Sequence, residues 1–148
     1  MYFVDRELLE NRLQYMEKQL SIFSQQQEWK SDIEKVALER FVHMTIEVII
    51  DVGNQMIDGF IMRDPGSYED VINILVDEKV ISNEDGIVLK DFILMRKIVL
   101  QEYTEINSAE LHSNMNKSMP ALLTFPGKVR LYLENELGPV SAFLPSKD

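Results

Sequence analysis

The stretch SDIEKVALERFVHMTIEVIIDVGNQMIDGF, residues 31–60, decides the fold. Ser31 followed by Glu34 has the form of a capping box, in which each side chain satisfies a backbone N–H that the helix start leaves free. Beyond it, Leu38, Phe41, Thr45, Val48, Val52, Met56 and Phe60 recur at helical spacing, and Ile33, Val36 and Ala37 begin an adjacent apolar stripe. The pattern predicts one helix over Asp32–Gly59, about 40 Å long at ~1.5 Å per residue. An apolar face of that length cannot be buried alone and calls for other helices around it.

Those helices are written on both sides. Upstream, Asp5 can cap a helix whose stripe, Leu9, Leu13, Met16, Leu20 and Phe23, steps by four and three like a coiled-coil seam. The tract Gln25-Gln26-Gln27 leads to Trp29 and a break. Downstream, Arg63-Asp64-Pro65-Gly66 is a turn, and Ser67 with Asp70 opens a short helix through Ile72, Leu75 and Val76. Ser82 with Asp85 starts a fourth, expected to run to about Ile106 with Leu89, Phe92, Ile93, Val99 and Tyr103 on its buried side. Asn107 with Glu110 caps the next, which Pro120 and Pro126 are expected to kink or divide. Val129, Tyr132 and Leu133 form the last stripe, Gly138-Pro139 stops it, and 141–148 reads as a loose tail. No period-two run is bounded by hairpin turns. The chain is expected to be all-α: one domain over 1–148, an up-and-down bundle of five to six helices. The seam from Leu9 to Phe23 can pack within that bundle or pair across a dimer.

Composition excludes several function classes. The 148 residues carry a formal net charge of -10 and no cysteine. A disulfide, a thiolate metal site and a Cys nucleophile are therefore ruled out, and the lack of cysteine suits a reducing cytoplasm. So acidic a chain should not bind DNA or RNA through a broad basic face; an RNA contact needs a local basic spot. No apolar run reaches the roughly 18 residues of a membrane span, and the first ten residues lack a signal-peptide layout. The two histidines, His43 and His112, share no metal-ligand spacing, and no cofactor motif is present. His43 lies one helical turn from both Glu39 and Glu47, so it is either an acid–base imidazole or a helix-face histidine held by carboxylates, the plainer reading. His112 reads as a surface residue near a helix start. Asp51 and Asn54 interrupt an apolar stretch. They belong to a solvated face or, if interior, need a partner, because an unpaired buried polar group costs about 1–3 kcal/mol. Arg96 is the nearest basic candidate.

The segment LMRKIVLQEY, 94–103, is the most informative for chemistry. On a regular helix Arg96 and Tyr103 project within about 20° of each other, whereas Gln101 points about 140° away from Arg96. The three can meet only at a distorted helix end or with a two-fold mate. The plain alternative is an Arg–carboxylate pair beside a core tyrosine.

Taken together, Glu39-Arg40 early in the long helix, Asp51 and Asn54, Gly66-Ser67-Tyr68, Ile74-Leu75, and Arg96 through Tyr103 resemble the HepT-like branch of the HEPN superfamily. The likeness is best from about Glu34 to Ile106. It implies a helical homodimer with a cleft at the two-fold axis, and an RNase toxin of a toxin–antitoxin pair. It further implies a small nucleotidyltransferase partner that silences the toxin by adding AMP to the motif tyrosine. Carried over by position, Arg96 is the phosphate-binding arginine and Tyr103 the residue open to modification, with Asp51 and Asn54 as supporting polar groups. The family motif places histidine where this chain has Gln101. Metal-independent RNA cleavage needs a proton acceptor for the 2′-hydroxyl and a donor for the leaving oxygen, roles suited to histidine and closed to an amide. The expected function is an RNA- or nucleotide-phosphate-binding cleft with weak or absent cleavage. The alternative is an active endoribonuclease toxin in which Glu102 or His43 carries the proton.

Overall fold

Every helix start but one is made by a side-chain cap. In the computed structural model, which describes residues 3–138, Asp5 accepts from the Leu8 N–H at 3.0 Å, and Ser67, Ser82 and Asn107 accept from the N–H groups of Asp70, Asp85 and Glu110, each at 3.1 Å. Ser31 and Glu34 form the full reciprocal box, with Glu34 accepting from the Ser31 N–H at 2.9 Å. These caps open α1 (Arg6–Gln25), α2 (Asp32–Gly59), α3 (Tyr68–Asp77), α4 (Asn83–Ile93) and α6 (Ser108–Leu137). Between the last two lie α5 (Met95–Leu100), which has no side-chain cap, and a 3-10 turn, Tyr103–Glu105. No strand occurs among the described residues, and the fold is an all-α bundle.

Cross-helix contacts fix the directions. Phe23 packs on Phe41, and Arg12 donates to Gln55 at 2.9 Å, so α1 and α2 are antiparallel. Phe23 also meets His112, while Arg6 donates to the Gly138 carbonyl at 3.1 Å, so α6 runs back along α1 and parallel to α2. The Thr124 hydroxyl approaches Asp85 at 3.4 Å, whereas Ile98 and Gln101 border Leu111 and Asn114. The chain from α4 through α5 is therefore antiparallel to both α6 and α2. All five residues of the α1 seam are buried within this bundle, which assigns that seam to the chain's own core rather than to a dimer contact.

Two expectations about continuity are corrected. The fourth helix does not run to Ile106: it stops at Ile93, resumes one residue later, and ends at Leu100. Residues 101–105, Gln-Glu-Tyr-Thr-Glu, are all exposed and offer no apolar side chain to hold a helix on the core; Ile106 packs against it again. Conversely, α6 is not divided into two pieces at Pro120 or Pro126 but is one helix across both. Each proline costs a helix interior about 3 kcal/mol through its missing N–H and ring clash. The apolar face Leu111, Met115, Leu122, Phe125, Val129, Leu133 and Leu137 is unbroken on either side, and its burial offsets that cost. The tail 141–148 lies outside the described residues.

α2 and α3 end alike. After α2 the Met62 N–H bonds to the Ile57 carbonyl at 2.9 Å and Ile61 takes φ 56°; after α3 the Val80 N–H bonds to the Leu75 carbonyl at 2.9 Å and Lys79 takes φ 61°. Both are Schellman endings with a non-glycine residue at the left-handed position. For a β-branched residue this is a true outlier, worth roughly 1–2 kcal/mol of strain. Ile61 is 72% exposed, so its side chain contributes little packing. Ile61→Gly is expected to raise stability by about 1 kcal/mol, after the greater freedom of glycine in the unfolded chain is set against the relieved strain. That corresponds to a Tm about 3 °C higher by calorimetry; an unchanged or lower Tm contradicts it.

α1 is fastened to α6 by Arg130, which donates to Glu10 at 2.7 and 2.9 Å and to Glu17 at 2.7 and 2.9 Å. The hydrogen bonds from Arg130 hold the Glu17 carboxyl below its ordinary value of 4.5. A carboxyl depressed in the folded state contributes stability above its unfolded pKa and loses it as pH falls through the folded one. Urea midpoints of the wild type should therefore fall between about pH 5 and pH 3, and more steeply than those of Arg130→Gln. Parallel profiles would remove this clamp as a source of acid sensitivity.

Candidate functional site

Arg96 stands in the first turns of α5, between Met95 and Val99, whose buried side chains anchor that short helix. Its Nε donates to Glu47 Oε1 of α2 at 2.7 Å, and its guanidinium lies over the Tyr68 ring, 4.7 Å from the centroid. The same Glu47 oxygen is 3.6 Å from His43 Nε2, one turn earlier on α2. Four residues from three helices, His43, Glu47, Tyr68 and Arg96, thus form one cluster. The hydrogen bond to Glu47 raises the Arg96 pKa above its ordinary value against the opposing effect of burial, so the guanidinium stays charged. Its side chain is 29% exposed, and the recorded hydrogen bond engages Nε, which leaves both Nη groups to a ligand. Holding a planar guanidinium by its Nε edge and one face presents the remaining edge in a fixed pose, the geometry that phosphate recognition uses.

The partner of Arg96 is Glu47, not Asp51. Asp51 is exposed and Asn54 half-buried further along the same helix, whereas Arg96 Nε donates to Glu47. Glu47 is a lone carboxylate between the buried Ile46 and Val48, and that interruption of the run Thr45-Ile46-Glu47-Val48-Ile49-Ile50 was the signal for it. Tyr68 stands in the Gly66-Ser67-Tyr68 element of the resemblance, but no local signal places its ring against Arg96, since the first residue of a short helix is ordinarily solvated.

Gln101, Glu102 and Tyr103 follow the end of α5, and all three are exposed. With the helix ended at Leu100, the alignment of Arg96 and Tyr103 expected on a regular helix does not arise. Tyr103 opens the 3-10 turn at 65% exposure, so it is not a core tyrosine. Gln101 and Glu102 border a groove of about 490 Å³ between this turn and the start of α6, with Glu105 and Glu110 on its walls. That groove is acidic, and Arg96 is not among the residues lining it. His112 departs from the expectation of a plain surface residue. It is half-buried, 5.9 Å from the Phe23 ring and 6.2 Å from Trp29, with its Nε2 3.1 Å from the Asn116 amide. Among the described residues no group of three or more His, Cys, Asp or Glu has the arrangement of a metal site, and no helix is long and apolar enough to cross a membrane.

The sequence is similar to a protein of Bacillus subtilis (strain 168) named "Putative RNase YutE", with 52% identity over 143 residues, 97% of this chain and 99% of that one. The solved structure of YutE, described as a cytosolic protein of unknown function, superposes with a TM-score of 0.93 over 97% of this chain and 100% of that chain. Two more distant structures share the fold. One is a toxin–antitoxin with AMP-PNP, at 15% identity and TM-score 0.76 over 84% of this chain and 98% of that one. The other is a tri-AMPylated Shewanella oneidensis HEPN toxin in complex with an MNT antitoxin, at 16% identity and TM-score 0.74 over 83% and 96%. The model of the ribonuclease HepT-like family matches residues 11–129, which take in α2, the Glu47–Arg96 cluster and most of α6, and the chain belongs to that family.

Proposed function

We propose that the chain binds single-stranded RNA through Arg96, in a cleft completed by a second copy about a two-fold axis, and cleaves it slowly or not at all. The observation that carries this reading is the charged, partly exposed guanidinium held between Glu47 and Tyr68. Exposed apolar side chains flank it on the same segment, Leu94 before and Leu100 after, and they suit burial against a second copy. Gln101 supports the weak-cleavage part, because an amide makes hydrogen bonds and does not exchange protons near neutral pH. The exposed Tyr103 hydroxyl is accessible to a nucleotidyltransferase partner. There its oxygen would attack the α-phosphorus of ATP, taking up AMP and releasing pyrophosphate. The distant neighbour modified by AMP and bound to its antitoxin motivates that partner.

The test is the affinity for a short single-stranded RNA, read by fluorescence anisotropy at fixed low salt. A hydrogen bond to a charged group contributes about 1.5–3 kcal/mol. Arg96→Ala is therefore expected to weaken binding by roughly 10- to 100-fold and to flatten its salt dependence. An affinity indifferent to Arg96 sinks the proposal, and light scattering on the same samples reads the dimer. An active nuclease with Glu102 as the proton carrier is less supported, because Glu102 stands one residue beyond position 101, where the motif places its histidine, and shares its groove with the carboxylates of Glu105 and Glu110.

A further inference from the structure

The geometry points to His43 as the proton-transferring residue of this site, standing on α2 in place of the histidine that α5 lacks. This rests on the reading of Arg96 as the RNA phosphate site. Two distances carry it: Arg96 Nε and His43 Nε2 approach the same Glu47 oxygen, at 2.7 and 3.6 Å. The direction of the helices carries it further. Because α5 is antiparallel to α2 and meets it at Glu47, the chain from Arg96 to Gln101 advances toward His43. Five residues of helix advance about 7.5 Å and the four from Glu47 back to His43 about 6 Å, so the imidazole sits at nearly the height where the motif would place one. A phosphate on the Nη edge of Arg96 then lies near an imidazole, a ring that can both accept and donate a proton.

The side chain is available. His43 is 27% exposed, and its Nε2 faces Glu47 Oε1 at 3.6 Å. Glu47 is a positioning residue for both groups: it orients the guanidinium and fixes which imidazole nitrogen faces the protein. The chemistry balances without a metal or a second reactant. The neutral imidazole takes the proton of the ribose 2′-hydroxyl as that oxygen attacks phosphorus. The 2′-O–P bond forms and the P–O5′ bond breaks. The departing 5′-oxygen takes a proton from the imidazolium of either copy. The products are a 2′,3′-cyclic phosphate and a 5′-hydroxyl end. One histidine reached from a neighbouring helix is less well placed than the motif residue, in keeping with slow turnover.

The experiment is single-turnover cleavage of a single-stranded RNA in the presence of EDTA, with affinity measured on the same preparations. Wild type is expected to give cyclic-phosphate ends. His43→Asn should slow cleavage at least about 100-fold, the usual size of a general acid–base contribution, while affinity stays within about threefold and thus under the tenfold of ~1.4 kcal/mol. Free imidazole should restore part of the activity of His43→Ala, which a merely structural histidine would not allow. Cleavage unchanged in His43→Asn, or a wild type that binds through Arg96 and does not cut, overturns the role of His43 and leaves the binding site standing. RNA affinity that is absent, or unaffected by Arg96→Ala, removes the site itself.

Discussion

Gln101→His is expected to accelerate metal-independent RNA cleavage by about 100-fold, at the lower end of the ~10²–10⁴ range of general acid–base catalysis. The lower end applies because, on the proposal above, His43 would already supply part of the proton transfer. Position 101 follows the last residue of α5 and is exposed, so an imidazole there meets no steric obstacle and needs no repacking. The change should raise the rate with little effect on affinity, since Arg96 and its Glu47 tether are untouched. In the His43→Asn background the same substitution should restore cleavage. If Gln101→His stays inert while binding is intact, the turn at 101–105 holds that side chain away from the phosphate, and the loss of the motif histidine is not what limits the reaction.

Phe125→Ala should be the most damaging single substitution for the fold. Phe125 is 1% exposed and lies on α6 between the two prolines. Truncating a buried phenylalanine typically costs about 3–5 kcal/mol through lost transfer energy and the cavity left behind. Here the loss falls where packing also offsets two helix-breaking residues, so the upper end of that range applies. A domain typically has about 5–15 kcal/mol in all. The urea midpoint should therefore drop sharply, and far-UV dichroism at the new midpoint should show α6 lost together with the bundle. A loss below about 2 kcal/mol would mean that neighbouring side chains collapse into the space, as some sites do.

The parts of the fold legible in the sequence are those set within one turn of chain. Asp5, Ser31, Ser67, Ser82 and Asn107 all cap as their side chains and spacing indicate, because a cap needs only residues three positions apart. The α1 seam was equally plain, although its partner was not: a stripe states that it must be covered and is silent on whether the same chain covers it. Where the fourth helix ends, and whether α6 divides at its prolines, are not legible for the converse reason. Proline and exposed polar residues are local signals, and α6 and the 101–105 turn were decided by what the surrounding core could hold. The site shows the same division. Arg96 could be found by motif, while its carboxylate, forty-nine positions away in sequence, depended on how α5 crosses α2. Tyr68 belongs to the Gly66-Ser67-Tyr68 element of the resemblance, yet its place over the Arg96 guanidinium depended on the same crossing.

The shortness of α5 bears on how the site responds to what it binds. Six residues with no capping side chain are too few to persist as a helix by themselves. This segment is held by Met95 and Val99 below and by the Glu47 bridge at its side. Amide protons of α5 thus belong to the fraction of the molecule that opens without global unfolding. α2, with a continuous buried face from Leu38 to Ile57, is expected to open only with the whole bundle. If Arg96 grips a phosphate as proposed, that contact adds a further tether to this segment, so occupancy would be coupled to the closing of α5, and a partner that stiffens the segment would raise the affinity for RNA by the coupling free energy. With the arginine on a six-residue helix set against the 28-residue α2, ligand binding there would be one equilibrium with local order.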